Sequence, residues 1–476
     1  MLFDYDQVED LFHTRKILMG DLTIIGRPVY GLSNLHHGVF FYYYNLLPFV
    51  IFQWNPQLIA LWHSVLNAAL SFFIFFFARS LFKSITAGFI AAFIVAVSYE
   101  FIQFASWITI ITPALITVPI YFFGLWKFYQ GKNWGMFLAA TALGISIQLD
   151  LMFLYLIPVF LVFWLLFKPR FPDIKVIIWS FVLFILSVST MILTEIKLNF
   201  AGVNALLHFS EVFNDSKISY IDRLNLFFEQ FWLTFSYNIM PTRVDLGAIL
   251  GVAIICVSLF SLVSKKVEKS VKPGVLFALL FLFSPLIMLV FGFHRQPWFL
   301  IGIQPAIVML AGYAFSKLKH PVIILFILIA IGLSNLKTIL ENRNSGPPLF
   351  KPEISSLLSS QLAVVDYTYT QSRGQAFAIN AVTYPLYHNA IWEYHYKWHG
   401  LSKYGFLPGW LGGDQLPLYR TLPRATGNEQ YIFMIIDNTY RIPEVFKLEG
   451  KNWADRYGSL VDEKTIGGFT VQKREK

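Results

Sequence analysis

The chain has 476 residues, is 56% hydrophobic and 14% charged, and carries a net charge of +9. Soluble domains average roughly 25% charged residues, so this composition excludes an ordinary soluble enzyme and indicates a polytopic membrane protein. One cysteine, Cys256, excludes an intrachain disulfide framework and a cysteine-based metal site. The positive charge sits in short loops rather than in a basic domain, which argues against nucleic acid as a partner.

The chain opens on Phe3-Asp4-Tyr5-Asp6-Gln7, acidic and polar at once, with neither the basic nor the apolar region of a signal peptide. Residues 1–56 read as a first loop. Its His36-His37-Gly38 runs into the aromatic stretch 39–52, which is too short and tyrosine-rich for a span. That stretch is expected to be an interfacial or re-entrant helix, with Tyr42, Tyr43 and Tyr44 at headgroup level. About ten spans follow, on a template of about 20 apolar residues each: 57–81, 85–103, 108–130, 134–149, 151–167, 175–195, 245–263, 274–292, 297–316 and 321–340. Only Asp150 separates the fourth from the fifth.

Basic loops orient these spans. Lys265, Lys266, Lys269 and Lys272 should be cytoplasmic, as should Lys168 with Arg170 and Lys175, Lys127 with Lys132, and Lys317 with Lys319. Residues 1–56, Asp150, the loop 196–244, residues 293–296 and the region 341–476 then share the extracytoplasmic side. A first loop on the outside implies a further transmembrane helix upstream. The loop 196–244 contains an amphipathic stretch around Leu224–Trp232, expected to lie on the outer surface. After the linker Ser345-Gly346-Pro347-Pro348, residues 341–476 read as a small α/β domain. A helix is expected over 353–367, and strands over 375–381, 431–437 and 468–473.

The outward loops bring acids and bases to one membrane face: Asp4, Asp6, Glu9, His36, His37, Asp150, His294 and Arg295. A carboxylate there can deprotonate an acceptor, and an arginine with nearby histidine can hold a phosphate and stabilise its developing charge. Each has a plainer reading as well. Asp6 is also a solvated loop acid, Asp4 a helix cap, Asp150 a hairpin turn, and Arg295 a snorkelling side chain. His395 and His399, with His388 and Glu393, do not amount to a zinc site on spacing alone. No GxGxxG or Walker pattern occurs, so a nucleotide is not expected as a direct substrate.

Asp6-Gln7 followed by Arg15–Leu22, then Gly26-Arg27-Pro28, His37–Tyr43, Pro48, Asn55-Pro56, Asn67 and Ala78–Phe82, resembles the C-type (GT-C) membrane glycosyltransferases. The nearest groups are the bacterial relatives of protein O-mannosyltransferases and aminoarabinose transferases. The resemblance is densest over residues 3–82. It implies an all-α helical bundle with a C-terminal extracytoplasmic α/β domain, in the cytoplasmic (inner) membrane of a bacterium. It also implies a polyprenyl-phosphate-linked sugar donor and a protein, lipid or glycan acceptor. The family's catalytic carboxylate falls on Asp6, with Asp4 as a second candidate. Its donor-phosphate-binding position falls on His37, assisted by His294 and Arg295, while Asp150 and His36 fall at cavity-facing polar positions. Relatives often carry an acid directly after the catalytic one, where this chain has Gln7; a divalent cation stays open as a cofactor. Two other readings are a lipid-linked sugar flippase and an O-antigen ligase or polymerase. Spans nearly free of charge, with ionisable groups gathered at the outer edge, favour a surface enzyme over a transporter.

Overall fold

Each apolar segment expected to span contains helix among its described residues, although the helices Ala114–Tyr129 and Gln304–Phe315 start several residues late. The computed structural model describes residues 1–29, 32–207, 219–291, 298–343 and 352–476. Among these residues, four helices are long and apolar enough to cross a membrane by length and composition: Pro56–Phe82, Val244–Val263, Lys272–Val290 and Pro321–Asn342. Two further helix pairs are apolar enough together but bent in the middle. Ile85–Val97 turns by 55° into Tyr99–Ala105, and Ile174–Ser187 turns by 58° into Ser189–Lys197. Ala114–Tyr129, Trp134–Leu149, Leu151–Phe167 and Gln304–Phe315 are shorter apolar helices. The chain is an integral membrane protein of mostly helical architecture with a small C-terminal sheet domain.

Local chemistry sets many helix ends. Asn55 caps Pro56–Phe82 by accepting from the amides of Gln57 and Leu58 at 3.0 and 3.3 Å, with proline at the first helical position. Ser84 caps the next helix through the Ala87 amide at 3.1 Å. At the 55° bend Ser98 caps the second half through the Phe101 amide, and its hydroxyl donates to Asn238 Oδ1 at 2.8 Å.

Glu100 sits one turn beyond that bend, 1% exposed. It accepts from the side-chain amides of Asn238 and, at 3.3 Å, Gln304. Among the described residues the bundle thus holds a buried carboxylate that the hydropathy of the spans does not single out. The helix Tyr220–Ile239 departs from expectation as well. Phe227, Phe231, Phe235 and Ile239 are fully buried, so this helix packs into the bundle along one stripe instead of only lying over it.

In the first loop the helix Tyr5–Leu18 leads into a short hairpin, β1 (Pro28–Val29) and β2 (Leu32–His36), and then the helices Phe40–Tyr44 and Leu46–Phe52. Leu47, Val50 and Ile51 face outward, as an interfacial segment requires. The C-terminal domain adds β3 (Phe377–Val382), β4 (Gly409–Trp410), β5 (Tyr431–Asp437), β6 (Ser459–Ile466) and β7 (Phe469–Glu475) in the order β4-β3-β5-β7-β6. The first three are parallel, and β7 runs antiparallel to both its neighbours. Val364, Val365 and Tyr369 of the helix Leu358–Ser372 pack on one sheet face, against Phe377, Ile379 and Phe433. Ala454 of the helix Glu444–Ala454 packs on the other, against Met434 and Ile436.

The start of the chain is built into this domain. The Phe3 amide donates to the Ser356 carbonyl at 2.9 Å, Gln361 Nε2 donates to the Phe3 carbonyl at 2.7 Å, and the Leu358 amide donates to the Met1 carbonyl at 3.1 Å. Phe12 lies edge-on to Trp54, Tyr394 and Tyr419.

Candidate active site

Asp6, Glu9, Asp10 and His13 fall at i, i+3, i+4 and i+7 of the helix Tyr5–Leu18, so they share one face. A capping box starts this helix, with Asp4 at the N-cap donating its amide to Gln7 Oε1 at 2.8 Å. Gln7 is thus engaged in holding the helix start.

Arg27 meets the acidic face from the hairpin. Its Nη1 lies 3.0 Å from Asp6 Oδ1 as an ion pair. Burial works against the charged guanidinium, but Asp10 and Asp6, with Tyr42 and Glu9, outweigh it and hold Arg27 charged. The hairpin needs close packing to present it. A Cβ on Gly26 would stand 2.2 Å from the His37 carbonyl oxygen, so only glycine fits there. The Arg27 amide donates to Tyr42 Oη at 3.1 Å, and the Arg27 carbonyl accepts from the His37 amide at 3.0 Å.

The carboxylates differ in environment. The Asp6 side chain is 55% exposed and opens to solvent. Asp10 is fully buried, and neither carboxyl oxygen has a hydrogen-bond partner among the described residues. Desolvation pushes its carboxyl well above the ordinary range, opposed by Arg27. Burial, then the neighbouring Asp6 charge, raises Asp4 to about 7. Glu9 accepts from Tyr419 Oη at 3.1 Å, and burial shifts it upward too.

The first loop is clamped to the tip of a transmembrane hairpin. The Gly38 amide donates to the Gln148 carbonyl at 2.9 Å, and the Phe40 amide donates to Gln148 Oε1 at 3.2 Å. A Cβ on Gly38 would stand 2.6 Å from Gln148 Cβ and Oε1. Asp150 follows, accepting from the Met152 amide at 2.9 Å. Burial raises its carboxyl to about 6, and the Arg27 charge works against that rise. Beside this clamp lies a mainly apolar cavity of about 360 Å³, lined by Val39, Phe40, Tyr43, Gln148, Leu183 and Thr190 among others.

Arg27 thus pairs with Asp6, and its charge also acts on Asp150 and, behind that of Arg441, on Asp4. His37 joins them as an uncharged group: burial, then Arg27 and His36, lower its imidazole to about 3. His36 ends β2 next to it, and its Nδ1 is buried without a partner. His294 and Arg295 lie outside the described residues. The sequence alone does not single out Arg27, Glu9 and Asp10 as site residues: the i, i+3, i+4 acidic spacing is visible there, but Arg15 and Lys16 follow it before Arg27, so nothing local marks Arg27 as the partner. Among the described residues no three His, Cys, Asp or Glu side chains come together as a metal site. His395 pairs with Gln361 at 2.7 Å and His399 with Asp366 at 2.8 Å, so these two histidines serve separate contacts.

Solved structures share this architecture. ArnT from Cupriavidus metallidurans bound to undecaprenyl phosphate aligns with a TM-score of 0.61 at 11% identity, over 99% of this chain and 94% of that one. Its apo state aligns at 0.56 with the same identity and coverage. The chain has the GT-C fold. The archaeal oligosaccharyltransferase AglB from Archaeoglobus fulgidus aligns less well, at 0.44 and 13% identity, over 100% of this chain and 71% of that one. No family model matches the sequence, and no curated protein does. The GT-C bundle with its small C-terminal sheet domain bears out the sequence resemblance at the level of fold.

Proposed function

We propose that the protein is an inverting membrane glycosyltransferase that moves a sugar from a polyprenyl-phosphate donor to an acceptor outside the cytoplasmic membrane of a bacterium. One observation carries this reading: an exposed carboxylate, Asp6, is held by a largely buried, charged arginine, on a first loop whose following segment, Val39–Tyr43, lines an apolar cavity. The binding of undecaprenyl phosphate by ArnT supports a lipid phosphate as the donor carrier. The four basic loops support the orientation.

Asp6 acts as general base, with Asp4 as the second candidate. The acceptor oxygen or nitrogen attacks the anomeric carbon as its proton passes to the carboxylate. The bond from that carbon to the phosphate oxygen breaks, and the lipid phosphate leaves with the electron pair. Single displacement inverts the anomeric centre. Arg27 is the positive charge best placed to stabilise the departing phosphate, with His37 able to contribute only as a neutral imidazole and Arg295 and His294 assisting from the later loop. The cavity beside Phe40 and Gln148 suits the apolar start of the lipid. Asp150 orients the clamp.

The test is transfer from a radiolabelled polyprenyl-phosphate sugar by the purified protein. Asp6→Asn should lose at least a hundredfold in rate while still binding the donor. Near-normal transfer by that variant sinks the assignment. Glu100, buried at a bent helix pair, favours the transporter reading. Movement of the labelled lipid across liposomes without transfer would establish that alternative.

A further inference from the structure

Three tyrosines stand exposed on the C-terminal domain close to the Asp4–Asp6 corner. Tyr384 is 45% exposed, Tyr387 78% and Tyr440 84%. They belong to two loops, one after β3 and one after β5, at the carboxyl ends of neighbouring parallel strands, where α/β sheets commonly bind ligands. The Arg441 guanidinium joins the loops, 5.5 Å from the centre of the Tyr384 ring. Tyr387 leans edge-on to Phe446 at 6.4 Å.

Tyr387 is unusual in its backbone as well as its exposure. Its φ is +67°, a left-handed conformation that bulky residues rarely adopt. Such a conformation costs about 1–3 kcal/mol and concentrates at functional sites. Here it presents a ring to solvent that packing does not require.

The surface adjoins the candidate base. The ring of His388 lies 5.3 Å from that of Tyr5, which stands between Asp4 and Asp6. The charge of Arg441 also reaches Asp4. This arrangement is not a site for an anion. Arg441 Nε is paired with Glu353 Oε1 at 3.1 Å, and Asp4 and Asp437 add further carboxyls nearby. Anionic headgroups and phosphorylated ligands are disfavoured by that charge. Tyrosine faces flanked by carboxylates suit a ligand with C–H faces and many neutral hydroxyls. Rigid tyrosines offer large amphipathic contact area at low entropic cost.

We propose that Tyr384, Tyr387 and Tyr440, with Arg441, form a stacking platform for a neutral glycan, and that the acceptor of this enzyme is therefore a carbohydrate chain. The second clause rests on the transferase reading; sugar binding by the platform does not.

The experiment uses the full-length protein in nanodiscs and saturation-transfer difference NMR, with mannotetraose, cellotetraose and chitotetraose as probes. At least one should receive saturation at its ring protons. The double variant Tyr387→Ala/Tyr440→Ala should bind it at least tenfold more weakly with an unchanged thermal midpoint, and Tyr387→Phe/Tyr440→Phe should stay within about threefold of wild type because the rings remain. Absence of binding by all three sugars, or equal binding by the alanine variant, overturns the platform. So does a serine-rich decapeptide that binds where the sugars do not and is lost in the alanine variant, since the surface then reads peptide. The assay needs no donor, so sugar binding by a wild-type protein that moves no label from any polyprenyl-phosphate sugar defeats the transferase reading and leaves the platform standing.

Discussion

Arg27 Nη1 stands 3.0 Å from Asp6 Oδ1, yet the second carboxyl it faces, Asp10, decides what this contact is worth. Asp6 is half exposed, and an exposed ion pair contributes about 0–1 kcal/mol. Asp10 is buried without a hydrogen bond among the described residues, so Arg27 is its compensation. Arg27→Met should cost about 1–3 kcal/mol, the scale for a buried polar group left without compensation. Adding Asp10→Asn should restore most of the thermal midpoint but not sugar transfer. Full recovery of transfer in the double variant would show that Arg27 serves the fold alone.

Two glycines position that arginine. At Gly38 an added methyl meets the Gln148 side chain, while at Gly26 it meets backbone. Overpacking of this kind costs about 1–3 kcal/mol, more where the obstacle cannot rotate away. Gly26→Ala should therefore be more damaging than Gly38→Ala. Both should lower transfer at least tenfold while far-ultraviolet circular dichroism stays unchanged, because the spans do not depend on the clamp.

Asp4 links pH to the seam between the first loop and the C-terminal domain. Its folded carboxyl is raised to about 7, above the ordinary carboxylate range. A raised acid stabilises the fold fully below its unfolded pKa of about 4, and that stability is lost as pH climbs through the folded value. The unfolding midpoint should therefore fall between pH 4 and 7 in the wild type. In Asp4→Asn this part of the slope should vanish. A scan of midpoint against pH for the two proteins decides it; parallel curves count against the assignment.

Glu100 should prove structural if its amide partners are its purpose. Glu100→Ala leaves the side chains of Asn238 and Gln304 with unmade hydrogen bonds inside the bundle, at about 1–3 kcal/mol per group. Glu100→Gln keeps the shape and lets one amide flip to restore the pairing. The alanine variant should melt well below the glutamine variant in the same detergent. Equal melting with loss of activity in both would give Glu100 a functional role.

Much of the fold is legible in the chain because the membrane imposes a local rule: about 20 apolar residues make a span. That rule locates Pro56–Phe82, Val244–Val263 and Pro321–Asn342 within a few residues. Strand β5, an apolar run ended by Asp437 and Asn438, reads as directly. The expected helix over 353–367 is displaced to Leu358–Ser372, because Leu357 pairs with Leu2 across the seam and holds the preceding residues out of the helix. β6 escapes notice because it is an exposed edge strand of polar residues, with no apolar alternation to mark it. A window that averages hydropathy also hides Glu100.

For the site, the sequence by itself determined which acids exist and led to the expectation that Asp4, Asp6 and Asp150 share one membrane face; the helix Tyr5–Leu18, which puts Asp6, Glu9 and Asp10 on one side, lay in a segment read as loop. Only the tertiary structure decided that Arg27 is the cation they share, that His37 is neutral, and that Tyr384, Tyr387 and Tyr440 stand beside the Asp4–Asp6 corner. The physical reason is range. Periodicity and capping act within a few residues, whereas burial and charge pairing depend on which distant segments meet, and that is settled by packing of the whole chain.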